Sequence, residues 1–296
     1  MIHCTGIDEA GYGPILGPLS IVAASARAES RDELHAVFTR APTGLRDSKK
    51  LHKPGDLGPL EAVAMAAITW FTGFQPETAA DVFAVLGETP TDRDLPWMDG
   101  ADQLQLPCAA RHIPDWQLTG LEPAGIQGAL IHPRALNDAA DSGVNRASCE
   151  LDAITGMLAQ IPLATGSADV LCDRLGGRRY YAEALQDVWP STQVEILEEA
   201  KLCSSYQVSM GQHQAQIAFQ VGGESASPLT AAASCVAKFG RELHMRLFNS
   251  YWCKRMRTLK ACAGYGSDAK RWIFQVGTGT TGAYGPDLIR GYDTQR

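Results

Sequence analysis

Residues 6–14 read GIDEAGYGP and follow a short apolar run at the start of the chain. An apolar run of this length, bounded by glycines, predicts a buried strand over residues 2–8. Successive side chains of a strand point to opposite faces, so Asp8 and Glu9 cannot both point the same way from a regular strand. If both carboxylates serve one site, we expect the strand to end or bulge there.

The adjacent carboxylates of Asp8 and Glu9 have no lysine or arginine close by in the sequence, so they repel each other. Pairs of this kind commonly hold a hard cation such as Mg²⁺. Gly11 and Gly13 allow the backbone to turn tightly and to approach a ligand closely. A strand end that runs into an acidic, solvated turn is the alternative interpretation of the same residues.

The order Asp-Glu-Ala-Gly-x-Gly-Pro after a first apolar strand resembles the opening motif of the type-2 ribonucleases H, the HII and HIII enzymes. The resemblance implies a ribonuclease H-like α/β fold, with a mixed central sheet flanked by helices, and metal-dependent cleavage of RNA paired with DNA. The sequence DSKKL at residues 47–51 resembles the second motif of the family. Its Lys49 and Lys50 would hold phosphates as mobile point charges. An exposed polar loop, in which Asp47 caps a turn, is the alternative.

Two further acidic positions follow the order of the family. Asp173 ends a short apolar strand, which is a usual place for a metal ligand and equally for a helix N-cap. Glu224 precedes a helix rich in alanine and serine, and the resemblance makes it the fourth acid. Glu242, later on that helix, is the competing candidate. We expect it at the surface or beside the site, because Lys238 and Arg246 lie four residues to either side.

Other features of the chain distinguish the two subtypes of the family. The sequence GYGS at residues 264–267 resembles a late loop of the family, whose tyrosine, here Tyr265, stacks near the sugar at the cleavage site. A Tyr180-Tyr181 helix and a glutamate as the fourth acid resemble HIII more than HII. Tyr12 is a departure, because HII proteins carry arginine and HIII proteins usually threonine between the two glycines. We also expect the chain to lack the separate N-terminal substrate-binding domain of many HIII proteins.

The resemblance implies hydrolysis of the RNA strand with two Mg²⁺ or Mn²⁺ ions, held by Asp8, Glu9, Asp173 and Glu224. The backbone from Gly11 to Gly13 would read the 2′-hydroxyl that separates RNA from DNA. Because Tyr12 carries no positive charge, we predict efficient cutting of RNA/DNA hybrids and weak cutting at a single ribonucleotide embedded in duplex DNA. No cysteine or histidine cluster has the spacing of a zinc site, so we predict no zinc.

Two other functions are compatible with these residues. The first is a family member that has lost cleavage and only binds hybrids, which Tyr12 and the unmatched middle of the chain motivate. The second is a nucleotide-binding protein that uses Gly11-Tyr12-Gly13 as a phosphate loop. The second is disfavoured because the loop lacks the Walker lysine and the complete G-x-G-x-x-G pattern.

The remaining patterns suggest one catalytic domain over residues 1–296, with an insertion at about 72–120 and a basic, helical C-terminal part at about 228–296. We predict further strands over 15–24, 169–172, 192–199 and 205–221, and helices over 30–39, 58–70 and 228–248 and through Leu158. We expect no signal peptide and no membrane span. The eight scattered cysteines contain no Cys-x-x-Cys and mostly lie in apolar surroundings. We therefore expect a cytoplasmic monomer.

The charge distribution matters more than the net charge of −7, which argues mildly against a nucleic-acid partner. Residues 238–271 contain nine lysines or arginines against two acidic residues, a net of +7. Aromatic residues, among them Trp252, lie between these basic residues, and Trp272 follows them directly. This mixture is typical of a nucleic-acid surface. A solvated amphipathic helix is the alternative.

Overall fold

The computed structural model describes residues 1–53, 55–88 and 95–292 of the chain. Within these ranges its strands are β1 (Ile2–Ala10), β2 (Leu19–Ala28), β3 (Glu122–Ile131), β4 (Ala168–Asp173), β5 (Gln193–Glu199), β6 (Cys203–Met210) and β7 (His213–Gln220). Its helices are α1 (Arg31–Arg40), α2 (Ser48–Leu51), α3 (Gly58–Thr72), α4 (Ala79–Val85), α5 (Pro133–Asp141), α6 (Arg146–Leu158), α7 (Ala182–Val188), α8 (Gly223–Ala226), α9 (Pro228–Arg255) and α10 (Gly266–Leu288).

The strands form one mixed sheet in the order β3-β2-β1-β4-β7-β6-β5. β1 pairs antiparallel with β2 and parallel with β4, and β4 pairs parallel with β7. The carboxyl ends of β1 and β4 therefore meet at one edge of the sheet, where ligands of open α/β sheets usually bind. The predicted mixed sheet with flanking helices and a helical C-terminal part is confirmed.

Helix α9 packs directly on β1 because Gly6 has no side chain. A Cβ atom at Gly6 would lie 2.0 Å from the backbone nitrogen of Thr230, a distance that real Cβ atoms do not reach. The Thr230 hydroxyl donates to the carbonyl oxygen of Leu171 on β4, at 2.9 Å. These two contacts fix the start of α9 over the strands whose ends carry the acidic residues.

The two faces of the sheet are covered by different helices. On one face, α3 and α9 bury residues such as Ile68 and Phe239. On the other face, α6 buries Ile154 and Leu158 against a cluster that contains Ile7 of β1. Odd-numbered residues of β1 thus face α6, and even-numbered residues face α9.

The stretch at about 72–120, predicted to be an insertion, packs into the core on the α9 side. Leu86 is fully buried, and a Cβ atom at Gly240 of α9 would lie 2.1 Å from its Cδ1 atom. Trp97 and Trp116 are also buried. Residues 89–94 of this stretch lie outside the described residues. That it is an insertion relative to the family stays a prediction.

Several element boundaries differ from the prediction. β2 begins at Leu19 rather than at residue 15, because Pro18 has no N–H group to donate to the ladder. The single strand predicted over 205–221 is a hairpin of β6 and β7. It turns at Gly211, which has a φ of +60°, and the alternation of polar and apolar residues hides this turn in the sequence.

Two smaller predictions about local structure are also corrected. Tyr180 and Tyr181 precede α7 instead of forming part of it, and Tyr181 stacks on Phe219 with ring centroids 3.7 Å apart. All eight cysteines are free thiols, but only four are buried, rather than most. Among the described residues, none of the helices is both long enough and apolar enough to span a membrane.

Candidate active site

Three carboxylates meet where β1 and β4 end. Asp8, Glu9 and Asp173 each offer an oxygen atom, and these oxygens all lie within 4.8 Å of one another. Asp8 is buried, and the other two are partly buried. We call these three residues the acidic group. The structure thus brings together three of the four predicted acids.

The geometry of β1 does not show the end or bulge expected at Asp8 and Glu9. The ladder with β2 continues without a register shift as far as Ala10. The pairing with β4 stops earlier, at Ile7 and Cys172. β1 therefore projects beyond its neighbour, and side chains from both faces of β1 can reach the space in front of Asp173. The expectation of an irregular strand was wrong because the neighbouring strand ends instead.

The electrostatics of the acidic group are unfavourable without a cation. Burial, followed by the negative charges of Glu9 and Asp173, raises the pKa of Asp8 well above its usual value. Burial and the charge of Asp173 likewise raise the pKa of Glu9. Two backbone N–H groups support the arrangement: that of Glu9 donates to Asp8 Oδ1 at 2.7 Å, and that of Gly223 donates to Asp173 Oδ1 at 2.8 Å. Clustered carboxylate oxygens are the ligands that Mg²⁺ and Mn²⁺ prefer, so the donor set fits such an ion.

Glu224 lies on α8 and is not a member of the acidic group found within the described residues. Ser234 of α9 connects the two: its hydroxyl donates to Glu224 Oε2 at 3.1 Å, and it also lowers the pKa of Asp8 through a hydrogen bond. The hydroxyl of Ser48 lies 2.9 Å from that of Ser234. Sequence reasoning missed both serines, although each lies within a stretch that had been singled out. Lys49 Nζ lies 3.3 Å from Glu224 Oε1.

The lysine motif forms the short helix α2 rather than a loop. The Asp47 side chain caps it by accepting from the backbone N–H of Lys49 at 2.8 Å, as the alternative interpretation expected. Both lysine side chains remain exposed. Lys50 and Glu224 line a cleft of about 680 Å³ between α1 and the start of α9. The capping role of Asp47 and a phosphate-binding role of the lysines are therefore compatible.

The two glycines of the turn after β1 have different surroundings. Gly11 has a φ of +90°, and a Cβ atom there would lie 2.5 Å from Arg241 Cδ. A Cβ atom at Gly13 would have no neighbour within 4 Å. Between them, the Tyr12 carbonyl accepts from Arg146 Nη1 at 2.6 Å, and the Arg146 guanidinium lies 5.5 Å from the Tyr12 ring centroid. The turn is thus packed on one side and open on the other.

Two buried arginines hold the turn and the residues after it. Arg290 donates from Nε to the carbonyl of Gly17 at 2.7 Å and from Nη1 to that of Gly11 at 2.5 Å. Arg241 donates from Nη2 to the carbonyl of Leu16 at 3.3 Å. Burial, together with the positive charges of Arg241 and Arg146, lowers the pKa of Arg290 to about 9. Sequence reasoning missed both arginines, and no local motif marks them.

Tyr265 is placed beside the turn by the loop that precedes α10. The carbonyl of Gly264 accepts from the backbone N–H groups of Ile15 at 2.8 Å and of Leu16 at 3.2 Å. The Tyr265 ring is 42% exposed, and its centroid lies 4.9 Å from the Arg241 guanidinium. The structure thus brings Tyr265 close to the glycine turn, and its stacking near a sugar stays a prediction.

Glu150 is an acidic residue near the site that sequence reasoning missed. It lies on α6 with a relative exposure of only 1%, and neither of its carboxylate oxygens has a hydrogen-bond partner. Burial, followed by the charges of Glu9 and Asp173, raises its pKa to about 8. A signal was present in the sequence: helical spacing places Glu150 on the same face as Ile154, which is a core position.

Glu242 lies outside the acidic group and contacts basic side chains instead. Its carboxylate lies 2.7 Å from Lys238 Nζ and 3.7 Å from His52 Nε2. Burial alone would raise its pKa, but the charge and hydrogen bond of Lys238 hold it below the usual value. Arg246, expected as a second partner, instead donates to Cys108 Sγ.

The basic segment 238–271 differs from the expected mixed surface. Trp252 and Trp272 are buried in an aromatic cluster, with ring centroids 5.8 Å apart, so they cannot stack on nucleic acid. Tyr265 remains exposed. Five basic side chains are exposed near the end of α9 and the start of α10: Lys254, Arg255, Arg257, Lys260 and Lys270.

The chain is similar to known ribonucleases H in part of its sequence and in its fold. Residues 5–56 match the family model described as ribonuclease HII. The chain is similar to ribonuclease H2 from Pyrococcus horikoshii OT3, with 15% identity, a TM-score of 0.50, and coverage of 99% of this chain and 95% of that one. It is also similar to ribonuclease HII in the PCNA complex from Archaeoglobus fulgidus, with 15% identity, a TM-score of 0.47, and coverage of 100% and 97%. Bst-RNase HIII in complex with Mn²⁺ has 14% identity, a TM-score of 0.49, and coverage of 99% and 67%.

At such low identity, the likeness to the Pyrococcus structure shows the ribonuclease H-like fold and nothing finer. The match over residues 5–56 covers the acidic pair, the glycine turn and the lysine motif. The chain therefore resembles ribonuclease HII in sequence over residues 5–56, and the rest of the chain shares the fold alone. A comparison with curated proteins found no match. Closeness to the HIII subtype stays a prediction.

Proposed function

We propose that this chain is a metal-dependent endoribonuclease that hydrolyses the RNA strand of RNA/DNA hybrids. The observation that carries the proposal is the acidic group at the ends of β1 and β4, whose three oxygens lie within 4.8 Å of one another beside an open glycine turn. The match of residues 5–56 to the ribonuclease HII family model and the ribonuclease H-like fold support activity on hybrids.

The residues proposed to hold Mg²⁺ or Mn²⁺ are Asp8, Glu9, Asp173 and Glu224. The first three converge directly, and Glu224 is linked to Asp8 through Ser234. When bound, two such ions would lower the pKa of an attacking water and stabilise the departing 3′ oxygen. The protein's part is to hold the carboxylates together despite their mutual repulsion, which the N–H groups of Glu9 and Gly223 support.

The glycine turn would recognise the ribose. Because Arg290 holds the Gly11 carbonyl from the packed side of the turn, the backbone near Gly13 is free to approach a ligand from the open side. There it would read the 2′-hydroxyl. Tyr265, exposed beside the turn, would stack near the sugar, and Lys49 and Lys50 would hold phosphates.

The proposed substrate preference depends on Tyr12. Its side chain cannot make the forked phosphate contact of an arginine, and the neighbouring Arg146 is engaged with the Tyr12 carbonyl and ring. We therefore propose efficient cutting of RNA/DNA hybrids and weak cutting at a single embedded ribonucleotide. Comparison of kcat/KM on the two duplexes tests this preference, and equal values would contradict it.

The proposed activity is tested with purified protein, Mg²⁺ or Mn²⁺, and two labelled duplexes, one an RNA/DNA hybrid and one a DNA with a single ribonucleotide. Asp8→Asn should abolish cleavage while hybrid binding persists, and Asp141→Asn, an exposed aspartate on α5, is the matched control. Cleavage by Asp8→Asn within about tenfold of the wild type, or about 1.4 kcal/mol of barrier, would contradict the assignment. Hybrid binding without any cleavage by the wild type would support the binding-only alternative. Cytoplasmic location and a monomeric state stay predictions.

A further inference from the structure

We propose that Glu150 belongs to the cation-binding site, as a further carboxylate on the buried, α6 side of the acidic group. The inference rests on the proposed function, because it concerns the same divalent ions. It adds a residue that lies outside the four predicted acids and reaches the site from a different helix.

The first observation is the placement of the acids on β1. Asp8 points toward α9, where Ser234 contacts it, whereas Glu9 shares the opposite face with Ile7. Helix α6 covers that opposite face and carries Glu150. The site therefore has two sides, with Ser234 behind Asp8 and Glu150 behind Glu9.

The second observation locates Glu150 relative to β4. Leu151 and Ile154, which share α6 with Glu150, lie in one buried cluster with Ile7 and Cys172, the residues that directly precede Asp8 and Asp173. The charges of Glu9 and Asp173 in turn act on Glu150 itself. Glu150 therefore lies on the α6 side of the site, behind Glu9, and outside the group of oxygens that lie within 4.8 Å of one another.

The third observation is that the Glu150 carboxylate is buried without a partner. The fully buried Glu61 accepts from three backbone N–H groups, and the buried Glu88 accepts from His132. Among the described buried glutamates, Glu150 is the one whose oxygens both lack a hydrogen bond. Its neighbour Arg146 donates to the Tyr12 carbonyl instead.

A buried, unpartnered carboxylate is costly to the fold, because nothing replaces the water that it has lost. A divalent cation, or a water molecule on that cation, would supply the missing partner. Carboxylates that support metal sites in this way typically contribute about 10- to 100-fold to metal affinity. A neutral, protonated glutamate with a purely structural role is the competing explanation, and it predicts no effect on metal affinity.

The experiment measures Mn²⁺ binding to the full-length protein by isothermal titration calorimetry, without nucleic acid. Glu150→Gln keeps the shape of the side chain, and Glu150→Met removes its polarity as well. Glu183→Gln, an exposed glutamate on the neighbouring α7, is the matched control for the loss of one charge. Both Glu150 variants should bind Mn²⁺ about tenfold more weakly or worse, whereas Glu183→Gln should bind like the wild type.

A second measurement guards against misfolding. Mn²⁺ should raise the Tm of both Glu150 variants less than it raises the Tm of the wild type. Without metal, the Tm of Glu150→Met should equal or exceed that of the wild type. Removal of a supporting carboxylate should weaken Mn²⁺ binding at least about tenfold. If both Glu150 variants bind Mn²⁺ within about twofold of the wild-type affinity, the inference about Glu150 is overturned, but the proposed function is not. A wild-type protein that binds no Mn²⁺ would overturn both the inference and the proposed function.

Discussion

Substitution of Gly11 by alanine should destabilise the protein, for two reasons visible in the structure. Its φ of +90° costs an ordinary residue about 1–2 kcal/mol. The new methyl group would also lie 2.5 Å from Arg241 Cδ and 2.9 Å from the Pro18 carbonyl oxygen, and overpacking of this kind costs about 1–3 kcal/mol. We expect Gly11→Ala to lower the free energy of unfolding by about 2–5 kcal/mol in total.

Gly13→Ala is the matched control for stability and the informative variant for binding. Its backbone does not have a positive φ, and the added methyl group would have no neighbour within 4 Å. The free energy of unfolding should therefore change by less than about 0.5 kcal/mol. The methyl group would project into the open side of the turn, where we propose that the ribose lies, so hybrid affinity should fall about tenfold or more, or at least 1.4 kcal/mol.

Urea unfolding of both variants measures stability, and fluorescence anisotropy with a labelled hybrid measures affinity. The affinity measurements are made in an Asp8→Asn background, so that the duplex stays intact. A Gly11→Ala protein as stable as the wild type would refute the packing argument. Unchanged hybrid affinity of Gly13→Ala would refute the proposed approach of the ribose to the turn.

Three other predictions follow from buried or paired side chains. Glu224→Gln should reduce cleavage of a hybrid far more than Glu242→Gln. Ser234 links Glu224 to the acidic group, whereas Lys238 and His52 contact Glu242. If Glu242→Gln reduces the cleavage rate more, the assignment of Glu224 as the fourth acid is wrong. Glu61→Gln should cost about 2–4 kcal/mol in urea unfolding, because its charge accepts from three backbone N–H groups, while the exposed Glu122→Gln should stay within about 0.5 kcal/mol. Burial, and then nearby positive charges, hold the pKa of His244 well below its usual 6.5. Below pH 6.5, His244 therefore binds a proton in the unfolded chain but stays unprotonated in the folded protein. His244 should therefore lower wild-type stability by up to about 1.4 kcal/mol per pH unit as the pH falls below 6.5, and His244→Gln should remove this slope; parallel stability curves from pH 7.5 to 5.5 would contradict the assignment.

The parts of the site that the sequence predicted are those with a local signature. Asp8 and Glu9 close an apolar strand, and Asp173 ends another, so their meeting follows from the pairing of β1 with β4. Lys49 and Tyr265 lie in short motifs that keep their order along the chain. In each case a short stretch of sequence contains both the reactive side chain and the residues that determine its local structure.

The parts that were missed are assembled by tertiary contacts. Arg290 reaches the glycine turn from the far end of the chain, 279 positions after Gly11, and only the folded C-terminal segment places it there. Arg241 was one basic residue among nine in its segment, and the count could not show that it is fully buried. Trp252 and Trp272 were misassigned for the same reason, because their side chains point into the core. Burial depends on which helix faces are covered, and composition does not determine this.

The distribution of charge explains how a chain with a net charge of −7 can be proposed to bind an anionic duplex. Four of its acidic residues are those proposed to hold two divalent cations, whose charges would balance them. Glu150 would add a fifth negative charge to the same place. Exposed lysines of α2 lie beside this site, and the Gly264 loop connects the glycine turn to the exposed basic residues around α10. The acidic residues of the site are thus expected to be neutralised by cations, and exposed lysines lie beside them, so the net charge of the chain is a poor guide to its partner.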